Sequence, residues 1–268
     1  EAAPGFSVEQ EPALRLIFLG LNYRDELLGM PGEPNPLLDV NVRKALWHAI
    51  NHEGLRERVM RGNSRTVGSM VAPPVPGYDE ASDVPLEFDP ELAKSMLADA
   101  GYEDGFSVKL DCPNDRYIND EAICVAVKAT WEQVGLTVDL NTESRATYFP
   151  KATNGETDVY MLGWATLPAM DTWSVIRALL ATQDDTLGGN NYNGLSDPRI
   201  DEIAAQVAVE LDEETRLSLM AEALQITHDE AYYIPLHQQP VAMALRDGVS
   251  VPQFADEYIR LWFSTIEE

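Results

Sequence analysis

Asp158-Val159-Tyr160-Met161-Leu162-Gly163-Trp164, followed by Ala165-Thr166-Leu167-Pro168-Ala169-Met170-Asp171, is the stretch that decides the fold. A short apolar strand ends at a glycine, and a tryptophan then opens a loop that holds a proline and a carboxylate. In an open α/β sheet, ligands bind in the crevice beyond the carboxyl ends of the strands. A large flat side chain placed there points to recognition of a small molecule rather than to chemistry.

Around this stretch the pattern alternates. Residues 106–111 read as a strand, 119–134 as a helix, 136–141 as a strand and 145–153 as a short helix. The strand at 158–163 follows, then a helix over 172–181. This β-α-β-α-β order predicts a largely parallel sheet covered by helices. The loop after its first strand, Pro113-Asn114-Asp115-Arg116-Tyr117, then emerges on the same sheet edge as Trp164. Upstream, residues 1–13 are polar and turn-rich and read as frayed or as belonging with something upstream, while 14–22 read as a buried strand closed by glycine and asparagine. Asp39 caps a helix with Val42, Ala45, Leu46, Ala49 and Ile50 at helical spacing, and Asn51 opens a short second helix ending near Gly62. Residues 63–88 read as a long ordered loop. Asp89-Pro90-Glu91 starts a helix that Gly101 stops. Downstream, Asp197 and Asp212 cap helices over 198–210 and 213–231, and two extended segments, 234–237 and 241–245, follow.

Composition narrows the function. There are 45 acidic residues against 19 basic ones, a net charge of −26. Such a surface repels nucleic acid phosphates and anionic lipid heads, so neither is an expected partner. No stretch approaches the roughly 20 apolar residues of a membrane helix, and residues 1–5 do not resemble a secretory signal. Cys112 and Cys124 form no zinc or redox motif and read as two buried free thiols, with a bridge left open for an oxidising compartment. The histidines His48, His52, His228 and His237 lack metal spacing, so no metal or cofactor is expected. There is no Gly-x-Ser-x-Gly, His-Glu-x-x-His or phosphate loop, and no enzyme activity is expected. Trp47, Trp131 and Trp262 read as core residues.

Several landmarks taken in order resemble the peptide-type (family 5) solute-binding proteins of bacterial ABC importers. Asp39-Val40-Asn41-Val42-Arg43-Lys44-Ala45-Leu46 with Ala49-Ile50-Asn51 is similar to the family's D-x-x-V-R-x-A-L-x-x-A-I-D helix. Asp89-Pro90-Glu91-Leu92-Ala93-Lys94, then Leu97, Ala100 and Gly101, resembles D-P-x-x-A-K-x-L-L-x-x-A-G. Gly163-Trp164 resembles the family's strand end. Asn191, Gly194, Ser196, Asp197, Pro198 and Asp201 resemble N-x-x-G-Y-S-N-P-x-x-D, and Ile234-Pro235-Leu236 its return segment. The resemblance implies a periplasmic-binding-protein-like (type II) α/β lobe with a mostly parallel central sheet flanked by helices. It divides the chain into a lead-in and crossover strand (1–22), the second lobe of a two-lobed protein (23–233) and a segment returning toward the first lobe (234–268). Half of a cleft is expected to bind its solute weakly.

The resemblance also implies two ligand anchors. An arginine after the first parallel strand holds a ligand carboxylate, and Arg116 stands at the similar place; its planar fork suits that task. A surface arginine bonded to Asp115 or Asp120 is the competing reading. An aspartate three residues after the tryptophan holds the ligand ammonium, but here that place is Leu167. Asp171 is either a replacement or the cap of the next helix. Trp164, Tyr117, Asn114, Thr166, Asn191 and Tyr192 complete the candidate lining, with Trp164 suited either to stacking on a ligand or to plugging the core, and Asn191 equally suited to bonding its own turn. The implied protein is a periplasmic, monomeric carrier that delivers a peptide or peptide-like solute to a membrane permease; a solute sensor sharing the fold is the alternative.

Overall fold

Carboxylates cap the starts of four helices. Asp39 accepts the Asn41 N–H at 2.8 Å, and Asp89 those of Glu91 and Leu92 at 3.1 and 2.9 Å. Asp197 and Asp212 cap the Arg199 and Thr215 N–H groups at 2.7 and 2.9 Å. Each such cap is worth about 1 kcal/mol, which sets where a helix begins. The structure is a computed structural model and describes residues 3–266. In chain order it contains β1 (Phe6–Leu21), α1 (Val40–His48), α2 (His52–Gly54, continued by a π-helical turn Leu55–Val59) and β2 (Arg65–Thr66). Next come α3 (Pro90–Asp99), β3 (Ser107–Pro113), α4 (Asp120–Gln133), β4 (Thr137–Glu143), α5 (Arg145–Thr153) and β5 (Val159–Trp164). The last elements are α6 (Trp173–Val175, continued by Ile176–Leu180), α7 (Pro198–Val207), α8 (Glu213–Asp229) and β6 (Tyr233–Arg246).

The principal sheet has six strands in the order β2-β6-β1-β5-β3-β4. β3 runs parallel to both β4 and β5, as the alternation predicts. β1 lies between β5 and β6 and runs against both, and β2 runs against β6. β3, β4, β5 and β6 therefore share one direction, and the sheet is mixed. Alternation along β1 feeds two cores. Ile17, Leu19 and Leu21 pack with Trp47, Leu110 and Trp131 on one face. Leu16 and Phe18 pack with Tyr160, Ile176 and Leu224 on the other. Helices thus cover both faces, and the strand ends remain as the open edge.

The frayed reading of this segment is corrected from Phe6 onward; residues 1 and 2 lie outside the described residues. Phe6–Pro12 pairs residue by residue with the stretch from Pro240 to Arg246, and the two strands leave the sheet as a ribbon. Their side chains are largely exposed, so composition resembled coil; the partner that satisfies the backbone lies at the other end of the chain. The free-thiol reading is also corrected, because Cys112 and Cys124 form a disulfide and both are fully buried. The end of β3 and the second turn of α4 bring them together, with Cα atoms 6.6 Å apart. Trp47 and Trp131 are core residues, but Trp262 is 76% exposed. The long loop between α2 and α3 is ordered around the buried Asp83. Its carboxylate accepts the Gly68 and Ser69 N–H groups, the Tyr78 hydroxyl and the Arg65 guanidinium.

Candidate functional site

The carboxyl ends of β3 and β5 supply the site. After Pro113 the chain turns through residues 114–119 before α4. Asp120, only 4% exposed, sits at the start of that helix and draws the turn inward. One oxygen accepts both the Arg116 and Tyr117 N–H groups at 2.9 Å, and the other accepts the Glu121 N–H at 3.0 Å. Donors to a carboxylate make the stronger hydrogen bonds, so this turn is held firmly. The Asn114 N–H donates to the Glu143 carbonyl at 3.0 Å, tying the turn to the end of β4.

Arg116 is half-buried, and its guanidinium lies 4.9 Å from the centre of the Tyr117 ring. Neither Asp115 nor Asp120 pairs with that guanidinium: Asp115 accepts the Arg145 N–H at 2.6 Å, and Asp120 is occupied by backbone. By contrast Arg15, next to the Trp164 partner Leu16, is bonded to Glu257 at 2.8 Å. Arg116 is therefore a cation with no ion pair among the described residues. Tyr117 is buried, which pushes its hydroxyl above the ordinary tyrosine range. Its ring rests on Gly163, where a Cβ would come within 2.6 Å of Tyr117 Cε1.

Trp164 ends β5, half-buried, with one side of its ring against the second core. Its indole N–H is shielded from solvent and has no protein partner, and the same is true of the Thr166 hydroxyl. Thr166 is 2% exposed. Buried polar groups without a partner carry a desolvation cost within the protein. Leu167 packs partly against the second core and offers no charge.

The other candidates divide. The Tyr192 ring stands 6.0 Å from that of Tyr160, and its hydroxyl accepts from Asn190 Nδ2 at 2.7 Å. Asn114 is exposed on the β3 turn. Asn191 is 1% exposed and satisfies its own loop, donating to the Ala181 and Leu195 carbonyls and accepting the Leu195 N–H. Asp171 accepts the Trp173 N–H at 2.7 Å and pairs with Arg216 at 2.6 Å. Its charge is thereby matched inside the protein.

Arg116 and Tyr117 lie on the turn after β3, and Trp164 and Thr166 lie at the end of β5 and just beyond it, so the carboxyl ends of two neighbouring parallel strands carry a cation, aromatic surface and two neutral hydrogen-bonding groups. Such a set can hold an anionic group and a polar, apolar-flanked body. Two further residues shape the edge. Asp120, offered by the sequence as a partner for the Arg116 guanidinium, holds the Arg116 and Tyr117 backbone N–H groups instead. Gln239, whose Oε1 accepts the Ile118 N–H at 3.2 Å, lies in an extended run with no local signature.

Residues 1–186 match the family model described as "Bacterial extracellular solute-binding proteins, family 5 Middle". The chain is 31% identical over 219 residues to the dipeptide-binding protein of Escherichia coli (strain K12), covering 76% of this chain and 40% of that protein. It is 27% identical over 213 residues to heme-binding protein A of Haemophilus influenzae, covering 76% of this chain and 37% of that protein. Among solved structures, HbpA2 from Haemophilus parasuis superposes with a TM-score of 0.81 at 22% identity, over 99% of this chain and 50% of that one. That likeness is one of fold. The chain spans well under half the length of the two relatives.

Proposed function

The chain belongs to the bacterial extracellular solute-binding proteins of family 5, and from that premise we propose that it is one lobe of the capturing component of an ABC importer. It holds a peptide or peptide-like solute against the β3–β5 edge, in a cleft closed by a further lobe, and hands it to a membrane permease. The observation that carries this reading is the unpaired Arg116 beside Tyr117 and the Gly163-Trp164 strand end, at the edge where ligands of α/β sheets lie.

The division at residues 22 and 233 is part of the proposal. The β1–β6 ribbon departs from the sheet beyond Leu16, which pairs with Trp164 on one side and Gln238 on the other. Beyond it, Ile259, Leu261 and Trp262 are 60%, 69% and 76% exposed. A cluster of large apolar side chains is normal for a surface that another body covers, and the further lobe is that body. The protein acts as a monomer in the periplasm. Among the described residues no helix is long and apolar enough to cross a membrane.

The solute carries a carboxylate, which Arg116 holds, and it needs no free amine. Leu167 supplies no counter-charge, and Asp171 is already matched by Arg216. Trp164 and Thr166 instead take neutral polar atoms. Closure follows because the solute touches both lobes only in the closed state. A thermal-shift panel on the full-length protein tests this with Met-Leu, N-acetyl-Met-Leu, the N-acetyl-Met-Leu carboxamide and hemin. Stabilisation by both acids supports the reading, since a ligand raises the melting point by mass action. A response to none of the carboxylates contradicts it.

A further inference from the structure

The turn that carries Arg116 is closed on itself. The Cys112–Cys124 disulfide joins the end of β3 to α4 and makes the intervening residues a covalent ring. Within the ring Asp120 gathers the Arg116 and Tyr117 N–H groups. Asn119, in the left-handed region at φ 58°, directs its Nδ2 to the Val59 carbonyl at 2.9 Å. A short ring with the Asp120 bonds inside it and the Asn119 bond tying it to Val59 has few ways to deform.

Besides the Asn114 N–H, which donates to the Glu143 carbonyl, a second backbone donor of the turn reaches out of the ring. The Ile118 N–H donates to Gln239 Oε1 at 3.2 Å. Gln239 is 9% exposed and lies at the junction of sheet and ribbon. On its sheet side Gln238 pairs with Leu16 and Arg65; on its ribbon side Pro240 pairs with Pro12. The Gln238 side chain also reaches back across the ribbon, donating to the Ala13 carbonyl at 2.6 Å. The base of the ribbon is thus anchored to the sheet, and it grips the Arg116 turn two residues from the guanidinium-bearing position.

We infer that Gln239 is a positioning residue that fixes where the Arg116 guanidinium stands relative to the ribbon, acting through the Ile118 N–H and the disulfide-closed turn. The inference rests on Arg116 being the carboxylate anchor. A guanidinium recognises a carboxylate through paired, directional bonds, so a small displacement costs recognition of the acid more than contact with the rest of the solute. Gln239 therefore governs preference for the acid and not merely overall affinity.

The test uses the full-length protein, with N-acetyl-Met-Leu and its C-terminal carboxamide as probes. Gln239→Met keeps side-chain length and packing while removing the acceptor, and Arg116→Ala removes the anchor. Amide hydrogen exchange of the ligand-free protein is read at residues 116–118. In Gln239→Met, exchange is expected to rise at Arg116 and Tyr117 as well as Ile118, and the preference for acid over carboxamide to fall about tenfold, as for one lost hydrogen bond. Faster exchange confined to Ile118 with the preference intact overturns the inference, while loss of preference in Arg116→Ala leaves the anchor reading standing. If Arg116→Ala itself leaves the preference unchanged, the anchor reading fails and Gln239 has nothing to position.

Discussion

The ring of Tyr117 lies directly on Gly163, and a Cβ at that glycine would meet Tyr117 Cε1 at 2.6 Å and Ile17 Cδ1 at 2.7 Å. The glycine is what allows the β3 turn to close over the end of β5, which makes one surface of two loops. Gly163→Ala is expected to cost about 1–3 kcal/mol by overpacking and to push Tyr117 and Arg116 outward. Urea denaturation measures the first effect. A weaker Kd for N-acetyl-Met-Leu in the same variant reports the second.

Cys112 and Cys124 are both at 0% exposure and are separated by 12 positions. Closing a ring of that size stabilises the folded state by about 3 kcal/mol in the chain-entropy account. The double variant Cys112→Ala/Cys124→Ala should show that loss in a urea midpoint under non-reducing conditions. Alkylation in denaturant should label no thiol before reduction and both cysteines after it. Labelling without reductant would contradict the bridge.

His237 is 1% exposed, and neither ring nitrogen makes a hydrogen bond of good geometry, the backbone at Gln238 being its one weak polar contact. Burial pushes its pKa down from 6.5 to about 4, and the neighbouring His52 adds to the shift. His52 is lowered by burial as well. The unfolded chain takes up these protons as pH falls below 6.5, whereas folded His237 resists until about 4. Stability is therefore complete above the unfolded value and declines between the two, by about 3 kcal/mol from His237. His237→Leu should flatten that part of the profile, measured as the difference between urea midpoints at about pH 7.5 and about pH 4.5. An unchanged slope would remove His237 as its source.

Asp171 and Arg216 form an ion pair at 2.6 Å with both side chains largely covered. Asp171→Asn should lower stability by about 1–2 kcal/mol, the scale of a charged hydrogen bond. It should leave the Kd for Met-Leu unchanged. A large loss of affinity for Met-Leu, absent for N-acetyl-Met-Leu, would instead make Asp171 an ammonium anchor.

What the sequence disclosed depended on the range of the forces involved. Asp39, Asp89, Asp197 and Asp212 marked helix starts because a cap bonds within three residues of itself. The parallel β3–β4–β5 unit was legible from alternation, and with it the edge that brings Tyr117 to Gly163. The β1–β6 ribbon was not, because the partners of Phe6–Pro12 lie at the far end of the chain and their composition is that of coil. Asn191 and Asp171 illustrate a second limit: residue types that bind ligands also close turns and cap helices, and only coordinates separate the two uses. Trp262 misled because burial was inferred from its type, whereas the surface it belongs to is open in this chain.

A calorimetric titration of the full-length protein with Met-Leu, N-acetyl-Met-Leu and the N-acetyl-Met-Leu carboxamide separates a carboxylate anchor from an amine site. If Arg116 is the anchor and no amine site exists, the two acids bind within about threefold of each other. The carboxamide then binds at least about tenfold more weakly, the loss that goes with a desolvated ion pair. Tight binding that requires the free amine, or equal binding of acid and carboxamide, would contradict that assignment.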